Sequence, residues 1–142
     1  MSTTTIPSTK VYYTAKTHTV GNRENAVSKS SDGVLDLKFS TPGAGGNGTN
    51  PEQLFAAGWS ACFDGAIGIA ANKMRVTLPE GRSIDAEVDL AFNDGFLLQA
   101  RLNIHLPGID QATAVALVQA ATGICPYSKA IKGNVEVEYN VI

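Results

Sequence analysis

The sequence predicts an α+β domain in which antiparallel sheets surround central apolar helices, in the order β-β-β-α-β-β-α-β. Two segments, 84–92 and 96–106, alternate apolar and polar residues on either side of N-D-G, which is typical of a β-hairpin. A long segment from residue 51 onward is rich in small and apolar residues, as expected of a buried helix. The 142 residues fit a single domain spanning 1–142.

Three short strands are predicted before the long helix, each followed by a turn or a loop. They cover residues 11–20, 26–31 and 34–40, and the turns between them are G-N-R-E-N (21–25) and S-D-G (31–33). Alternate residues of the third strand are apolar and share one face of the sheet. A glycine-rich loop, 41–50, then leads into the helix. It lacks the G-K-[ST] ending of a phosphate-binding loop.

The long helix has a capped start and is expected to end near residue 73. Asn50 or Thr49 caps it, and Pro51 and Glu52 suit its first turn. Three glycines lie inside it, and each costs about 0.5–1 kcal/mol relative to alanine. We therefore expect another helix to pack closely against it. The segment 54–71 has the length of a marginal membrane span, but its glycines and the amphipathic strands elsewhere favour a helix in a protein core.

The rest of the chain supplies a second helix and a last strand. Asp110 caps a helix over 111–122, which Gly123 ends. After C-P-Y-S-K-A-I (125–131), the segment 135–141 again alternates apolar and polar residues, which predicts a strand.

Composition excludes several classes of protein. The net charge is −2 and the basic residues are scattered, which argues against nucleic acid as a partner. Two cysteines do not make a disulfide scaffold. The first ten residues contain no apolar signal region, so we expect a cytoplasmic protein without a membrane partner. In that compartment a disulfide is usually transient, catalytic or sensory.

The two cysteines, Cys62 and Cys125, are the candidate reactive groups. A thiol reacts as its thiolate. Cys125 precedes Pro126, which suits the first turn of a short helix, so Cys125 lies at a helix N-terminus that favours negative charge. Cys62 lies within the apolar helix and needs a cation from elsewhere, best an arginine. Local physics thus favours Cys125 as the activated thiol, with two inert buried thiols as the alternative.

Other chemistries have weaker support. A zinc site needs three or four ligands, and His18 and His105 lie on predicted strands without ligand spacing to either cysteine. The alternation makes His105 a solvated strand residue. The G-x-S-x-G pattern of many serine hydrolases is absent from the sequence.

Two long segments resemble those of a known family. G-T-N-P-E-Q-L-F-A-A-G-W-S-A-C-F-D-G-A-I (48–67) and C-P-Y-S-K-A-I-K-G-N-V-E-V (125–137) are similar to the signature segments of the organic hydroperoxide resistance (Ohr) proteins, in the Ohr/OsmC superfamily. The resemblance extends to V-Y-Y-T-A near the start and to S-D-G-V-L-D-L-K-F-S-T-P (31–42), so it covers nearly the whole chain. C-P-Y-S followed by K-G-N-V favours the Ohr branch over the osmotically induced one.

The resemblance implies a cysteine-based organic hydroperoxide reductase of OsmC/Ohr-like fold. Cys62 becomes the peroxidatic thiol and Cys125 the resolving one, which overrules the local preference for Cys125. Arg23, in the first turn, becomes the thiolate stabiliser, and Glu52 orients it. The family pattern is not matched everywhere: the turn often reads G-G-R-[DN]-G, Lys132 replaces a common arginine, and A-T-G-I lacks a histidine often seen before C-P-Y-S.

The resemblance also implies no bound cofactor and no metal. It implies an organic hydroperoxide as substrate and, as reductant, a lipoyl dithiol carried on a protein. It further implies an intertwined homodimer, and helix geometry agrees. Glu52 and Cys62 are ten residues apart, hence roughly 15 Å along one helix, so Glu52 is expected to serve the partner's cysteine.

Two alternatives remain open at this point. One is a peroxidase of the OsmC branch with a different natural substrate. The other is a non-enzymatic dimer that binds an apolar ligand at its interface.

Overall fold

The structure is a computed structural model and describes residues 9–142. The chain forms two compact units: unit 1 extends to Asn50, and unit 2 comprises Pro51–Ile142. Most of the N-terminal segment from which the lack of a signal region was inferred, residues 1–8, lies outside the described part. The single-domain assignment stays a prediction.

Unit 1 is a three-stranded antiparallel sheet in the order β1-β2-β3. The strands are β1 (Thr17–Val20), β2 (Val27–Ser30) and β3 (Asp36–Lys38). All three are shorter than the sequence predicts. β1 pairs with β2 from Thr17↔Ser30 to Val20↔Val27. The chain turns after Ser30: the Lys16 carbonyl still accepts the Ser31 N–H over 2.9 Å, and residues 11–15 form no strand.

The glycine-rich loop returns to the sheet before the helix begins. The Thr49 N–H donates to the carbonyl of Lys38 over 2.8 Å, and the Ser40 N–H donates to the carbonyl of Thr49 over 3.0 Å. A Cβ at Gly48 would lie 2.5 Å from the carbonyl carbon of Phe39. Only glycine therefore permits this close return of the backbone.

Unit 2 contains three helices and a second three-stranded sheet. The helices are α1 (Pro51–Met74), α2 (Gln111–Thr122) and α3 (Pro126–Ile131), and the strands are β4 (Ser83–Phe92), β5 (Phe96–His105) and β6 (Glu136–Val141). β4 and β5 form the predicted hairpin, in register from Ser83↔His105 to Phe92↔Phe96. Asp94 and Gly95 at its tip have positive φ angles of 55° and 134°, as the N-D-G signal predicts.

The expectation of antiparallel sheets is wrong for β6. This strand pairs with β5 in parallel, from Gln99↔Glu136 to Ile104↔Val141. The physical reason is the connection, because α2 and α3 carry the chain from one end of the sheet to the other before β6 begins. A crossover of this kind returns a strand in the same direction.

The core of unit 2 lies between α1, α2 and the sheet. Asp110 caps α2 as predicted, accepting the Thr113 N–H over 3.0 Å. Six residues of α1 are buried: Trp59, Phe63, Ala66, Ile67, Ala70 and Ala71. They pack with buried residues of α2 and β5, among them Leu117, Leu102 and Ile104. By length and composition alone α1 could cross a membrane, but here it is a core helix.

The opposite face of α1 is open. Apart from the helix's own backbone, no atom of unit 2 lies within 4 Å of a Cβ built on Gly65 or Gly68. Ala57, Ala61 and Ile69 on the same face are exposed. The expected close approach of a second helix is therefore not made at these glycines within unit 2.

Candidate active site

The structure brings the two thiols together. The sulfur atoms of Cys62 and Cys125 are 3.3 Å apart, with the Cys125 thiol as donor, and both cysteines are reduced. Cys62 lies in the middle of α1, and Cys125 is the residue before α3. The contact joins residues that are 63 positions apart in the sequence, so it depends on the folding of unit 2.

The corner that carries Cys125 follows from its sequence. The Gly123 N–H donates back to the carbonyl of Ala120, and the Cys125 N–H donates to that of Ala121, so α2 closes tightly. Pro126 holds Cys125 in an extended conformation, with φ −64° and ψ 120°. The predicted position of Cys125 at a helix N-terminus is thus confirmed. Its side chain makes no capping hydrogen bond.

Burial distinguishes the two sulfurs. Cys125 is fully buried, at 0% exposure, whereas Cys62 is only half-buried. A solute can therefore approach Cys62 directly, while Cys125 lies beneath it. Local sequence physics favoured Cys125 because of the helix terminus, but could not foresee that Cys125 has no access to solvent.

The surroundings of Cys62 disfavour its thiolate. Burial raises the pKa of the Cys62 thiol, and the neighbouring thiol of Cys125 raises it further. The main-chain N–H of Tyr127 acts in the opposite direction and lowers this pKa by hydrogen bonding to the sulfur. The N-terminus of α3 thus acts on the sulfur of Cys62. Without a cation, Cys62 is a weakly acidic thiol.

Aromatic side chains form one wall beside Cys62. Phe55 contacts Trp59 edge to face, with ring centroids 5.5 Å apart. Phe55 also contacts Tyr127, and the centroids of these two rings are 6.2 Å apart. Tyr127 lies over Gly58, one helical turn before Cys62, where an added Cβ would lie 3.4 Å from the phenol oxygen. This distance is an ordinary van der Waals contact, so the packing of Tyr127 does not require a glycine at position 58. Sequence reasoning missed the wall, although Phe55, Trp59 and Cys62 have the spacing of one helix face.

A buried polar junction lies behind the thiols. Trp59 Nε1 donates to the hydroxyl of Ser128 over 3.0 Å, and the phenol of Tyr139 donates to the same oxygen over 3.2 Å. Ser128 is 4% exposed. Burial raises the pKa of Tyr139, so its phenol keeps its proton. Sequence reasoning missed this junction because no local pattern relates residues of α1, α3 and β6.

Arg23 lies at the tip of the turn between β1 and β2 in unit 1. The side chains of Asn22 and Asn25 hold this turn: Asn22 accepts the Glu24 N–H over 3.0 Å, and Asn25 accepts the Asn22 N–H over 3.1 Å. These bonds explain how the turn G-N-R-E-N forms although it has fewer glycines than the usual family turn. The two asparagine side chains stabilise it by hydrogen bonds to the main chain.

The other candidate charges lie in unit 2. Glu52 is half-buried in the first turn of α1, as predicted. Roughly 15 Å of helix axis separates it from Cys62. Arg82, another arginine of unit 2, lies just before β4 and forms a two-point ion pair with Asp64.

No cluster of three His, Cys, Asp or Glu side chains within residues 9–142 could hold a metal ion. His18 is an exposed residue of β1. His105 is exposed at the end of β5, where its Nδ1 lies 3.2 Å from the carbonyl oxygen of Ile142.

Comparison with known proteins gives a consistent result. Residues 43–140 match the family of OsmC-like proteins. An organic hydroperoxide resistance protein of Xanthomonas axonopodis pv. citri is 47% identical over 133 residues, which cover 90% of this chain and 93% of that protein. The crystal structure of the organic hydroperoxide resistance protein OhrB of Bacillus subtilis matches with a TM-score of 0.87 at 38% identity, covering 93% of this chain and 100% of that one. A Legionella pneumophila organic hydroperoxide resistance protein matches with a TM-score of 0.85 at 43% identity, covering 93% and 98%.

The chain therefore belongs to the OsmC-like family of proteins. Within that family it falls in the organic hydroperoxide resistance group, because relatives 47% and 40% identical to it, and a solved structure that matches with a TM-score of 0.87, carry that name over almost their full lengths. The resemblance and the α+β, OsmC/Ohr-like fold class that the sequence predicted are confirmed, apart from the parallel pairing of β6.

Proposed function

We propose that this protein is a thiol-dependent peroxidase that reduces organic hydroperoxides to alcohols. The observation that carries the proposal is the thiol pair at 3.3 Å, with Cys62 open to solutes and Cys125 buried beneath it. The names of the relatives in the organic hydroperoxide resistance group support the substrate class.

The proposed reaction has two steps at sulfur. The Cys62 thiolate attacks the terminal oxygen of the hydroperoxide, the O–O bond breaks, and the alkoxide leaves as an alcohol after taking a proton. Cys62 is now a sulfenic acid. The Cys125 sulfur then attacks the Cys62 sulfur, and the hydroxyl leaves as water with the proton of the Cys125 thiol. A disulfide is about 2.05 Å long, so the sulfurs need to approach by only about 1 Å.

The aromatic wall favours an organic substrate. Phe55 and Tyr127 present ring surface beside Cys62, and Tyr127 is 44% exposed. Such a surface gains free energy by covering the alkyl or aryl group of a hydroperoxide, whereas hydrogen peroxide has no such group to cover. The alternative of an OsmC-branch peroxidase with another natural substrate predicts no such preference.

A cation is needed to activate Cys62, and we assign this role to Arg23. The surroundings of Cys62 raise its pKa, and each unit of pKa corresponds to about 1.4 kcal/mol. A guanidinium close to the sulfur favours the thiolate. Glu52 is assigned the role of orienting Arg23, as the family resemblance implies.

The active form proposed is a homodimer in which Glu52 serves the partner's cysteine. Two observations support it besides the length of α1. The open face of α1 is small and apolar, and Ile69 on it is 50% exposed. Among the described residues of unit 1, only Ala26 and Ser28 are buried, while Val34 is 86% exposed. A second copy would cover such surfaces.

Recycling is proposed to use a lipoyl dithiol carried on a protein. In the disulfide form Cys62 is the sulfur nearer solvent, so an external thiol attacks there first. No bound cofactor is required, and the reaction suits the cytoplasm, where dithiol reductants are maintained.

Mass spectrometry after one equivalent of cumene hydroperoxide tests the proposal. The protein should lose two hydrogens as the disulfide forms, and one equivalent of the alcohol should appear. An unmodified protein, or oxidation without alcohol, contradicts the peroxidase. If an apolar ligand is instead extracted from the purified protein and no alcohol forms, the ligand-binding alternative is correct. Equal turnover of hydrogen peroxide and cumene hydroperoxide would favour the OsmC-branch alternative.

A further inference from the structure

Two of the contacts between α1 and the segment formed by Cys125 and α3 lie side by side. The first is the contact between the Cys62 and Cys125 sulfurs at 3.3 Å. The second is the hydrogen bond from Trp59 to Ser128 at 3.0 Å. Trp59 lies about one helical turn before Cys62, and Ser128 about one turn after Cys125. The two segments therefore run antiparallel here, with the polar contact next to the sulfurs.

The hydrogen bond from Trp59 to Ser128 helps to hold α3, the short helix that follows Cys125. α3 has six residues, and a helix of that length is not stable without tertiary contacts. The buried residue of α3 is Ser128, whereas Tyr127 is 44% exposed and Ile131 is half-buried. The buried serine therefore helps to fix α3 in place, beside the packing of Tyr127 on Phe55 and of Ile131 on the core.

The hydroxyl of Ser128 is fully used as an acceptor. A serine oxygen has two lone pairs, and here Trp59 donates to one and Tyr139 to the other. Tyr139 belongs to β6 and stacks on Phe63 of α1, with ring centroids 5.4 Å apart. Ser128 therefore ties α3 both to the helix that carries Cys62 and to the last strand of the sheet.

We propose that Ser128 is a positioning residue for disulfide formation between Cys62 and Cys125. The inference rests on the proposed function and concerns its second step, in which the S–S bond forms, the S–O bond of the sulfenic acid breaks, and water leaves. Cys62 sulfur is reduced and Cys125 sulfur is oxidised, so no further reactant is needed. Without the Ser128 oxygen, the buried Trp59 donor and the half-buried Tyr139 phenol lose their shared acceptor, and α3 moves to relieve the unpaired indole N–H. Cys125 then loses its alignment with the sulfenic acid.

The test measures the two steps separately in the full-length protein. Ser128→Ala protein is mixed with one equivalent of cumene hydroperoxide, and the reaction is quenched after short times. Disulfide formation should be slower than in the wild type by about 10- to 100-fold, as expected for a misplacement of about 1 Å. Alcohol release should slow much less. The long-lived sulfenic acid should react with dimedone and, with excess hydroperoxide, should reach sulfinic acid more often.

Two further variants provide a rescue and a matched control. Ser128→Thr keeps the hydroxyl and should recover most of the rate of disulfide formation. Ser60→Ala removes a serine hydroxyl that donates only within its own helix, to the carbonyl of Ala56 over 2.8 Å. It should form the disulfide at the wild-type rate.

Tyr139→Phe keeps the proposal testable if Ser128→Ala does not fold. This change removes one donor and keeps the ring on Phe63, so disulfide formation should slow selectively, but by less than in Ser128→Ala. A folded Ser128→Ala protein that forms the disulfide at the wild-type rate overturns the inference, and so does equal slowing of both steps. If the wild-type protein itself releases no alcohol, the proposed function fails instead.

Discussion

Arg82 and Asp64 form a two-point ion pair that joins the start of β4 to α1. Arg82 Nε lies 2.8 Å from one carboxylate oxygen, and its second nitrogen lies 3.1 Å from the other. Arg82 also donates to the carbonyl of Pro79 over 3.4 Å. The ion pair therefore attaches the loop that follows α1 to Asp64, which lies two residues after Cys62 in the helix.

Arg82→Ala is expected to lower stability without changing the thiol chemistry. Both side chains are about one-third exposed, so the loss is about 1 kcal/mol or less. In a chain of this size that corresponds to a fall in Tm of about 3 °C by calorimetry. Arg82→Lys keeps the charge but not the paired geometry, and should recover only part of the loss. A large rise in the pH at which Cys62 alkylates would instead place Arg82 beside the thiolate.

Replacing each of the two cysteines should stop the reaction at a different step. Cys62→Ser is expected to abolish alcohol release, because it removes the sulfur that a hydroperoxide can reach. Cys125→Ser should release one equivalent of alcohol and stop at a sulfenic acid, since the resolving sulfur is gone. Mass spectrometry with dimedone trapping distinguishes the two results. Repeated turnover by Cys62→Ser would refute the assignment.

Arg23→Ala should make Cys62 a weaker acid. Burial and Cys125 already raise the pKa of Cys62, and loss of the guanidinium removes the opposing charge. A raised pKa favours the protonated thiol, so alkylation of Cys62 should begin only at higher pH, and peroxide reduction near neutral pH should slow. Alkylation rates from pH 5 to 10 in a Cys125→Ser background measure this, with Arg75→Ala as a matched control on an exposed arginine. An unchanged profile would remove Arg23 from the site.

Mixed dimers should test whether Glu52 acts across an interface. Glu52→Ala and Cys62→Ser are each expected to be inactive, and the two are unfolded and refolded together. Half of the dimers are then mixed, and one of their two sites is intact, so activity should return to about a quarter of the wild-type value. If mixed dimers form and show no activity, each chain uses its own Glu52. The control is refolding each variant alone.

The sequence predicts most of the elements because their signals are local. N-D-G sets the β4–β5 hairpin, Asp110 caps α2, and the cysteine–proline pair places Cys125 at a helix terminus. The parallel pairing of β6 could not be predicted in this way, because strand direction depends on how α2 and α3 cross the sheet. The length of the strands of unit 1 was overestimated for a similar reason, since residues 11–15 have strand propensity, but the pairing ends at the bond between Lys16 and Ser31.

The residues of the candidate site that belong to a sequence motif could be predicted from the sequence. Both cysteines were candidates from the sequence itself, but their separate roles, and the choice of Arg23 and Glu52, come from the family resemblance, while local physics alone favoured Cys125 as the reactive thiol. Burial explains the difference, because relative access to solvent depends on packing among α1, α2 and α3. The Ser128 junction was not predictable at all, since its three residues come from distant parts of the chain.

The burial of Cys125 has a consequence for the ageing of the protein under oxidative stress. An oxidant dissolved in the cell water meets the sulfur of Cys62, while Cys125 is reached only through its neighbour. Irreversible lesions should therefore accumulate on one residue and leave the other chemically intact. Peptide mapping of protein kept for long periods under peroxide should find sulfinic and sulfonic acid at position 62, with position 125 still an unoxidised thiol.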